Sequence, residues 1–234
     1  MLFLFIKYYK NKFIFDIIFM VINMISKRLQ EIAKYVYPYK KIADVGCDHG
    51  YLIIEAIKKY KVTNCIAIDN KEGPLNVAKN NITNIGYLDN VRFSLSSGIT
   101  DIDVDTEAVV ISGMGGILIT QILSEKEKLV NIKRLILQPN RNSYELRKFL
   151  MENGFYIVSE EIIFEDGKFY EIIVSEKGNK CYSDDELMFG PILLTEKSKE
   201  FIDKINSEII HLKNLDTNSS NVSDRIKKLE EIIC

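Results

Sequence analysis

The chain has no tryptophan, only four prolines, two histidines and four cysteines among its 234 residues. Cys47, Cys65, Cys181 and Cys234 form no CxxC pair, and His49 and His211 stand far apart. That inventory excludes a zinc framework, and scattered thiols fit a reducing cytosol. A formal net charge of −2 excludes a globally basic protein. A local basic patch remains open, and with it nucleic acid as a partner. No run of 18 apolar residues exists, so no membrane span is expected. Internal repeats and long low-complexity segments are also absent.

What the chain does have is a composition that is 47% hydrophobic, enough for a sizeable core. Its first stretch, MLFLFIKYYKNKFIFDIIFMVIN, is apolar but interrupted by Lys7, Lys10, Asn11, Lys12 and Asp16. It has no small-residue cleavage site of the kind a signal peptide needs. An amphipathic membrane-surface helix is one reading of it. The expectation adopted is a non-structural extension over residues 1–23, with translation starting at Met20 or Met24, as Phe/Ile/Lys/Tyr strings arise from AT-rich DNA.

From residue 26 the pattern becomes regular. Leu29, Ile32, Ala33 and Val36 recur at helical spacing behind a Ser26 cap. Five strand-like runs follow, KIADVG, NCIAID, VRFSLS, EAVVISG and RLILQPN, and helical segments follow the first, second, fourth and fifth. This rhythm predicts βαβ units and a parallel sheet covered on both faces. Two further strand runs meet at Asp166-Gly167, a hairpin signal. A parallel sheet ending in an antiparallel hairpin is the Rossmann-like class I methyltransferase arrangement. The expected domain spans residues 24–180. Ser183, Asp184 and Asp185 read as a linker. Over 181–234, apolar stripes at Phe201, Ile202, Ile205, Ile209 and Leu212, then at Ile226, Leu229 and Ile233, predict a helical coiled-coil hairpin.

The stretch DVGCDHGYL ends the first strand and opens the first sheet helix, at the edge where α/β proteins bind ligands. Gly46 permits a sharp turn and a close ligand. Its glycine spacing is not GxGxxG, and a pyrophosphate would not be met by Asp44 and Asp48. Acids there suit a cation, such as an amino group or a sulfonium. Asp69 ends the second strand, 23 residues after Gly46, where a carboxylate accepts ribose hydroxyls. Ser96, Ser97 and Gly98 end the third strand where an adenine would lie. Gly113, Met114, Gly115 and Gly116 end the fourth, and three glycines in four positions imply a bulky ligand pressing on the backbone. S-adenosylmethionine is the ligand common to these loops. The expected cofactor set is Asp44, Gly46, Cys47, Gly50, Tyr51, Leu52, Asp69, Asn70, Ser97, Gly98 and residues 113–116. Metal binding by adjacent Cys47, Asp48 and His49 is not expected, because neighbours in sequence rarely converge on one ion. Cys47 lacks a partner base, so a covalent role is not expected either.

DVGCDHGYL, AIDNKEGP, VVISGMGG, RLILQPN, EDGKFYEIIV and FGPILL occur in one order. In this the chain resembles the bacterial tRNA (adenine-22-N1)-methyltransferases, from about Met24 to its C-terminus. Family members usually have Ser at the position of Cys47 and Ala at that of Gly50, changes that keep the loop's chemistry. The resemblance implies methylation of adenine N1 in tRNA with S-adenosylmethionine. Asp48 and His49 become the candidate catalytic residues, Asp48 steadying charge and His49 fixing the loop or touching the base. Gln138, Pro139 and Asn140 become candidates for reading the base edge. Lys27, Arg28 and Arg141, with Arg147 and Lys148, become candidate phosphate contacts. The terminal hairpin either braces tRNA or mediates dimerisation; a cytoplasmic monomer is the expectation. The alternatives are a methyltransferase for another RNA or a small molecule, and a noncatalytic binding module.

Overall fold

The computed structural model describes residues 25–215 and 220–233; the expectation for residues 1–23 lies outside them. Helix α1 (Lys27–Lys34) starts where Ser26 Oγ accepts the Leu29 amide at 3.2 Å, and it buries Ile32 and Ala33. The predicted alternation then follows as β1 (Lys41–Val45), α2 (Tyr51–Tyr60), β2 (Asn64–Asp69), α3 (Glu72–Ile85) and β3 (Val91–Leu95). It continues through β4 (Ala108–Met114), α4 (Gly116–Ile122), β5 (Arg134–Pro139) and α5 (Ser143–Glu152). The strands are short apolar runs bounded by turn residues, and β1, β2, β4 and β5 are buried over most of their length, as parallel strands covered on both faces must be.

The chain then turns antiparallel. Strands β6 (Phe155–Glu165) and β7 (Lys168–Lys177) join through Asp166 and Gly167, whose φ values of 50° and 75° suit a two-residue turn twisted like its strands. The seven-stranded sheet has the order β3-β2-β1-β4-β5-β7-β6, parallel through β5 and antiparallel at β7 and β6. This is the expected methyltransferase-type sheet. Because β2 pairs on one side of β1 and β4 on the other, a crevice opens at the carboxyl ends of β1 and β4, the switch point of the sheet.

The linker expected at Ser183–Asp185 is instead the start of helix α6 (Asp184–Phe189). Ser183 and Glu186 form a reciprocal capping box, the Ser183 amide donating to Glu186 Oε2 at 2.7 Å. Tyr182 and Leu187 are buried with the β5 and α5 side chains, and the Ile157 amide donates to the Tyr182 hydroxyl at 2.7 Å. Helix α7 (Pro191–Glu196) leads into α8 (Lys199–Lys213), which pairs with α9 (Ser220–Ile233) as the predicted helical hairpin. Part of the break between them, residues 216–219, lies outside the described residues. Ile162 of β6, Phe201, Ile205, Ile209 and Leu229 form a third core that fastens this hairpin to the outer edge of the sheet.

A buried charge network fastens it further. Arg147 of α5 is fully buried; its Nε donates to Glu160 Oε1 and its Nη2 to Glu171 Oε2, both at 2.7 Å. Lys204 of α8 pairs with the same Glu171. Burial works to raise the Glu171 carboxyl, but the Lys204 and Arg147 cations outweigh it and hold it at about 2. Arg147 therefore has no path to a phosphate, and that expectation is corrected. Its neighbour Lys148 is exposed.

Candidate active site

The loop after β1 is drawn over β2, for the Gly46 and Cys47 amides both donate to the Ile68 carbonyl, at 2.8 and 3.0 Å. Gly46 has φ +78°, and a Cβ there would lie 2.4 Å from Met114 Cε. Here the predicted need for glycine is real. Two cavities flank this loop and share Gly46, Asp48 and Met114 as their common wall.

The larger, about 470 Å³, is bordered by Asp69, Asn70, Ser97 and Gly98, with Leu118 and Ile122 of α4 opposite. The sequence reading missed the α4 wall. Its signal was available, because a helix following GMGG must border the same cleft and Leu118 and Ile122 are one turn apart. Asp69 is buried; its Oδ1 accepts the Lys71 amide at 2.9 Å and its Oδ2 the Asp48 amide at 3.4 Å. The smaller cavity, about 340 Å³, is bordered by Asp44, Cys47, His49, Tyr51, Leu52 and Gly113, and by Arg28 of α1.

Asp44 is the electrostatic centre. It is 3% exposed, and burial raises its carboxyl to about 7, with the charges of Asp69 and Asp48 pushing the same way. Among the described residues no cation offsets them. Burial likewise pushes the Cys47 thiol up, which leaves it protonated and unfit as a nucleophile. Asp48 and His49 are exposed at the loop tip, with His49 Nε2 3.6 Å from Asp48 Oδ2. The His49 ring stacks on Tyr51 at 5.6 Å between centroids and 15° between planes. Asn81 of α3 holds the loop from behind, donating to the His49 carbonyl at 3.0 Å. Among the described residues no group of three His, Cys, Asp or Glu side chains is arranged to hold a metal ion.

Other expected residues lie elsewhere. Gly50 borders neither cavity; its missing Cβ lets the start of α2 sit on Ala78 and Ile82. Gly115 and Gly116 also border neither. A Cβ on Gly116 would stand 2.3 Å from the Asn142 carbonyl oxygen, so protein backbone, not a ligand, crowds it. The side chain of Arg141, itself exposed, lies against Gly115.

Gln138 is fully buried, and its amide is already occupied. Its Oε1 accepts from Arg28 Nη1 and, at 3.1 Å, from the Gly113 amide, while its Nε2 donates to Asn140 Oδ1 at 3.1 Å. Asn140 Nδ2 in turn donates to the Gly113 carbonyl at 2.7 Å. These amides brace the end of β4; Gln138 and Pro139 are buried, whereas Asn140 is exposed. Arg28 is partly exposed, stacks over the Tyr170 ring at 4.8 Å and borders the smaller cavity. Nothing in the sequence signals its docking, because α1 precedes the sheet and its placement is purely tertiary. Lys27 is exposed, with its amide tied to Glu165 Oε1.

Comparison with known proteins agrees with this geometry. The family model described as tRNA (adenine(22)-N(1))-methyltransferase, TrmK, matches residues 42–233. The tRNA (adenine(22)-N(1))-methyltransferase of Bacillus subtilis is 33% identical over 230 residues, covering 89% of this chain and 97% of the relative. A Streptococcus pneumoniae structure, a putative tRNA (m1A22) methyltransferase in complex with S-adenosyl-L-methionine, is 37% identical with a TM-score of 0.85, over 90% of this chain and all of that one. The TrmK of M. capricolum in complex with S-adenosyl-homocysteine is 27% identical with a TM-score of 0.79, over 90% of this chain and 98% of the other. Among the described residues no helix is long and apolar enough to cross a membrane. With its fold, its acid-lined crevice and these relatives in agreement, the chain belongs to the tRNA (adenine(22)-N(1))-methyltransferase family, TrmK.

Proposed function

We infer that the chain transfers the methyl group of S-adenosylmethionine to N1 of adenine 22 in tRNA, the activity of its family. The observation that carries the assignment of residues is the buried Asp44, which borders the smaller cavity two residues before Gly46, on the wall that cavity shares with the larger one. An acid kept in that state calls for a cationic ligand that reaches past it. The larger cavity suits a nucleoside, with Asp69 to accept ribose hydroxyls and Leu118 and Ile122 to cover the base. In the smaller one, Asp44 and Arg28 offer the opposite charges that an α-amino acid tail requires. The group fits the residues present.

When bound, S-adenosylmethionine supplies an electrophilic methyl on a sulfonium sulfur. Adenine N1 is neutral and already carries a lone pair, so the protein has no proton to remove before attack. Its task is alignment, which is worth several kcal/mol when reacting atoms are held in line. Asp48 stands on the wall shared by both cavities and faces charge as it passes to the purine, an electrostatic role. His49, stacked on Tyr51, stiffens that wall. We place the enzyme in the cytoplasm as a monomer, where its tRNA substrate is reached.

The test is transfer of labelled methyl groups to tRNA transcripts carrying A or G at position 22, followed by nucleoside digestion. Label is expected as 1-methyladenosine in the A22 transcript alone. Cofactor binding without transfer would leave a binding-only protein or another substrate.

A further inference from the structure

A third cavity, about 890 Å³, opens on the outer side of the same sheet edge. One wall is the end of the β6–β7 hairpin, with Phe164, Lys168, Phe169 and Tyr170; the other is α8, with Lys204 and His211. Its floor is Asn140, whose amide donates to the Met114 carbonyl and whose side chain donates to the Gly113 carbonyl, both at 2.7 Å. The groove floor is thus hydrogen-bonded to Gly113 and Met114, which border the inner cavities, and the groove runs outward to the terminal helical hairpin.

Its lining is unusual for an idle surface. Phe164 is 49% exposed and is held by Phe169 at 4.7 Å between centroids, so one ring is presented and the other supports it. The Asp166-Gly167 turn fixes both rings on adjacent strand ends, Phe164 opposite Phe169 in register. Tyr170 is occupied by the Arg28 guanidinium. The charges are also sorted. Glu171 next to the groove is neutralised by Lys204 and Arg147, and Glu208 by Arg225, whereas Lys168 is exposed with no ion pair among the described residues. A rigid aromatic platform, an exposed ammonium and polar groups along one groove are what an unpaired nucleotide requires: a face to stack on and a cation for its phosphate.

We propose that this groove seats a nucleotide flanking the target adenine, its base stacked on Phe164 and its phosphate met by Lys168, so that the β6–β7 hairpin positions the tRNA from outside the reaction centre. This rests on the reading of the chain as a tRNA methyltransferase and adds a specific contact to it. The groove takes RNA because its floor, Asn140, is bonded to the end of β4, the edge at which the base must be delivered. Enzymes that act on an extruded base select it partly through contacts to the flanking nucleotides, and a platform beside the crevice supplies one.

The test is tRNA affinity, measured by fluorescence anisotropy with an A22 transcript, for wild type, F164A, F164W and K168A, beside calorimetric binding of S-adenosylmethionine. F164A should weaken tRNA binding by about tenfold or more, the effect of one lost base–aromatic stack. F164W should retain near-wild-type affinity, since it restores the π-face. K168A should reduce the slope of log affinity against log salt by about one. All three should bind the cofactor as wild type does. In turnover, the loss in F164A should fall on KM for tRNA with kcat nearly kept. Unchanged tRNA affinity in F164A, with cofactor binding intact, overturns the proposal while leaving the methyltransferase reading untouched. Wild-type protein that binds tRNA with F164A sensitivity yet methylates no A22 transcript would sink that reading and keep the groove. Wild-type protein that binds no tRNA overturns both.

Discussion

Replacing Asp44 by Asn should change the pH dependence of stability more than stability itself. Burial, with Asp69 and Asp48 adding to it, raises the Asp44 carboxyl from an ordinary 3.8 to about 7. The folded protein therefore holds this proton more tightly than the unfolded chain does. The stability gained from neutral Asp44 is full below about pH 4 and falls as pH rises to about 7, where the folded state ionises too. At 1.36 kcal/mol per pH unit, the fall between pH 5 and pH 8 is roughly 3 kcal/mol. Asn has the same shape and cannot ionise, so any constant packing effect cancels when two pH values are compared. Denaturant titrations of wild type and D44N at pH 5 and pH 8 should show D44N gaining roughly 3 kcal/mol on wild type across that interval. The cofactor should act in the opposite sense. A cation beside Asp44 lowers its pKa, so wild-type affinity for S-adenosylmethionine should tighten from pH 6 to pH 8, whereas D44N binds more weakly with a flatter profile. Parallel stability profiles for the two proteins would refute the reasoning, because they would mean that Asp44 is ionised throughout.

Three further perturbations test the rest of the site and its scaffold. D69A should raise the cofactor dissociation constant about 100-fold by calorimetry, the loss of two hydrogen bonds to a charged acceptor at about 1.5 kcal/mol each; unchanged affinity would remove Asp69 from the ribose site. G116A places a Cβ 2.3 Å from the Asn142 oxygen and 2.9 Å from the Arg141 oxygen, both backbone, so unfolding in urea should show a loss of about 2 kcal/mol or more, and a neutral result would mean that the β4–α4 loop is free to move. R147A leaves Glu160 buried without its cation, and the expected cost is about 3 kcal/mol, with hydrogen exchange accelerating in α6 and α8; a change below about 1 kcal/mol would show that the network is not what docks the helical hairpin.

The parts of this molecule that were readable from sequence are those whose cause is local. Five apolar runs between turn residues became five parallel strands, and Asp166-Gly167 became the hairpin, because each depends on a few adjacent residues. The side of the crevice proposed for the cofactor was equally local, since Asp44, Gly46, Asp69 and Ser97 each lie at or just past the end of a strand and the sheet order gathers strand ends. One local signal was passed over. Ser183-Asp184-Asp185-Glu186 is a capping box, and its polarity, read as a linker, is what a helix start requires.

The remaining departures share a different cause, the identity of a neighbour distant in sequence. Arg147 looks like a surface cation on α5 until Glu160 and Glu171, on two later strands, close around it. Gln138 looks like a base reader until Arg28, from a helix far upstream, takes its oxygen. Gly46 and Gly116 illustrate the point most directly. Glycine at a strand end states that something approaches closely, and the sequence cannot say what. At Gly46 it is the Met114 side chain on the wall between the two cavities; at Gly116 it is the backbone of the next loop. The same residue type on the same edge thus marks a cavity wall in one place and a packing constraint in another. Only the partner decides which, so substitutions at Gly46 should register in cofactor affinity and those at Gly116 in stability.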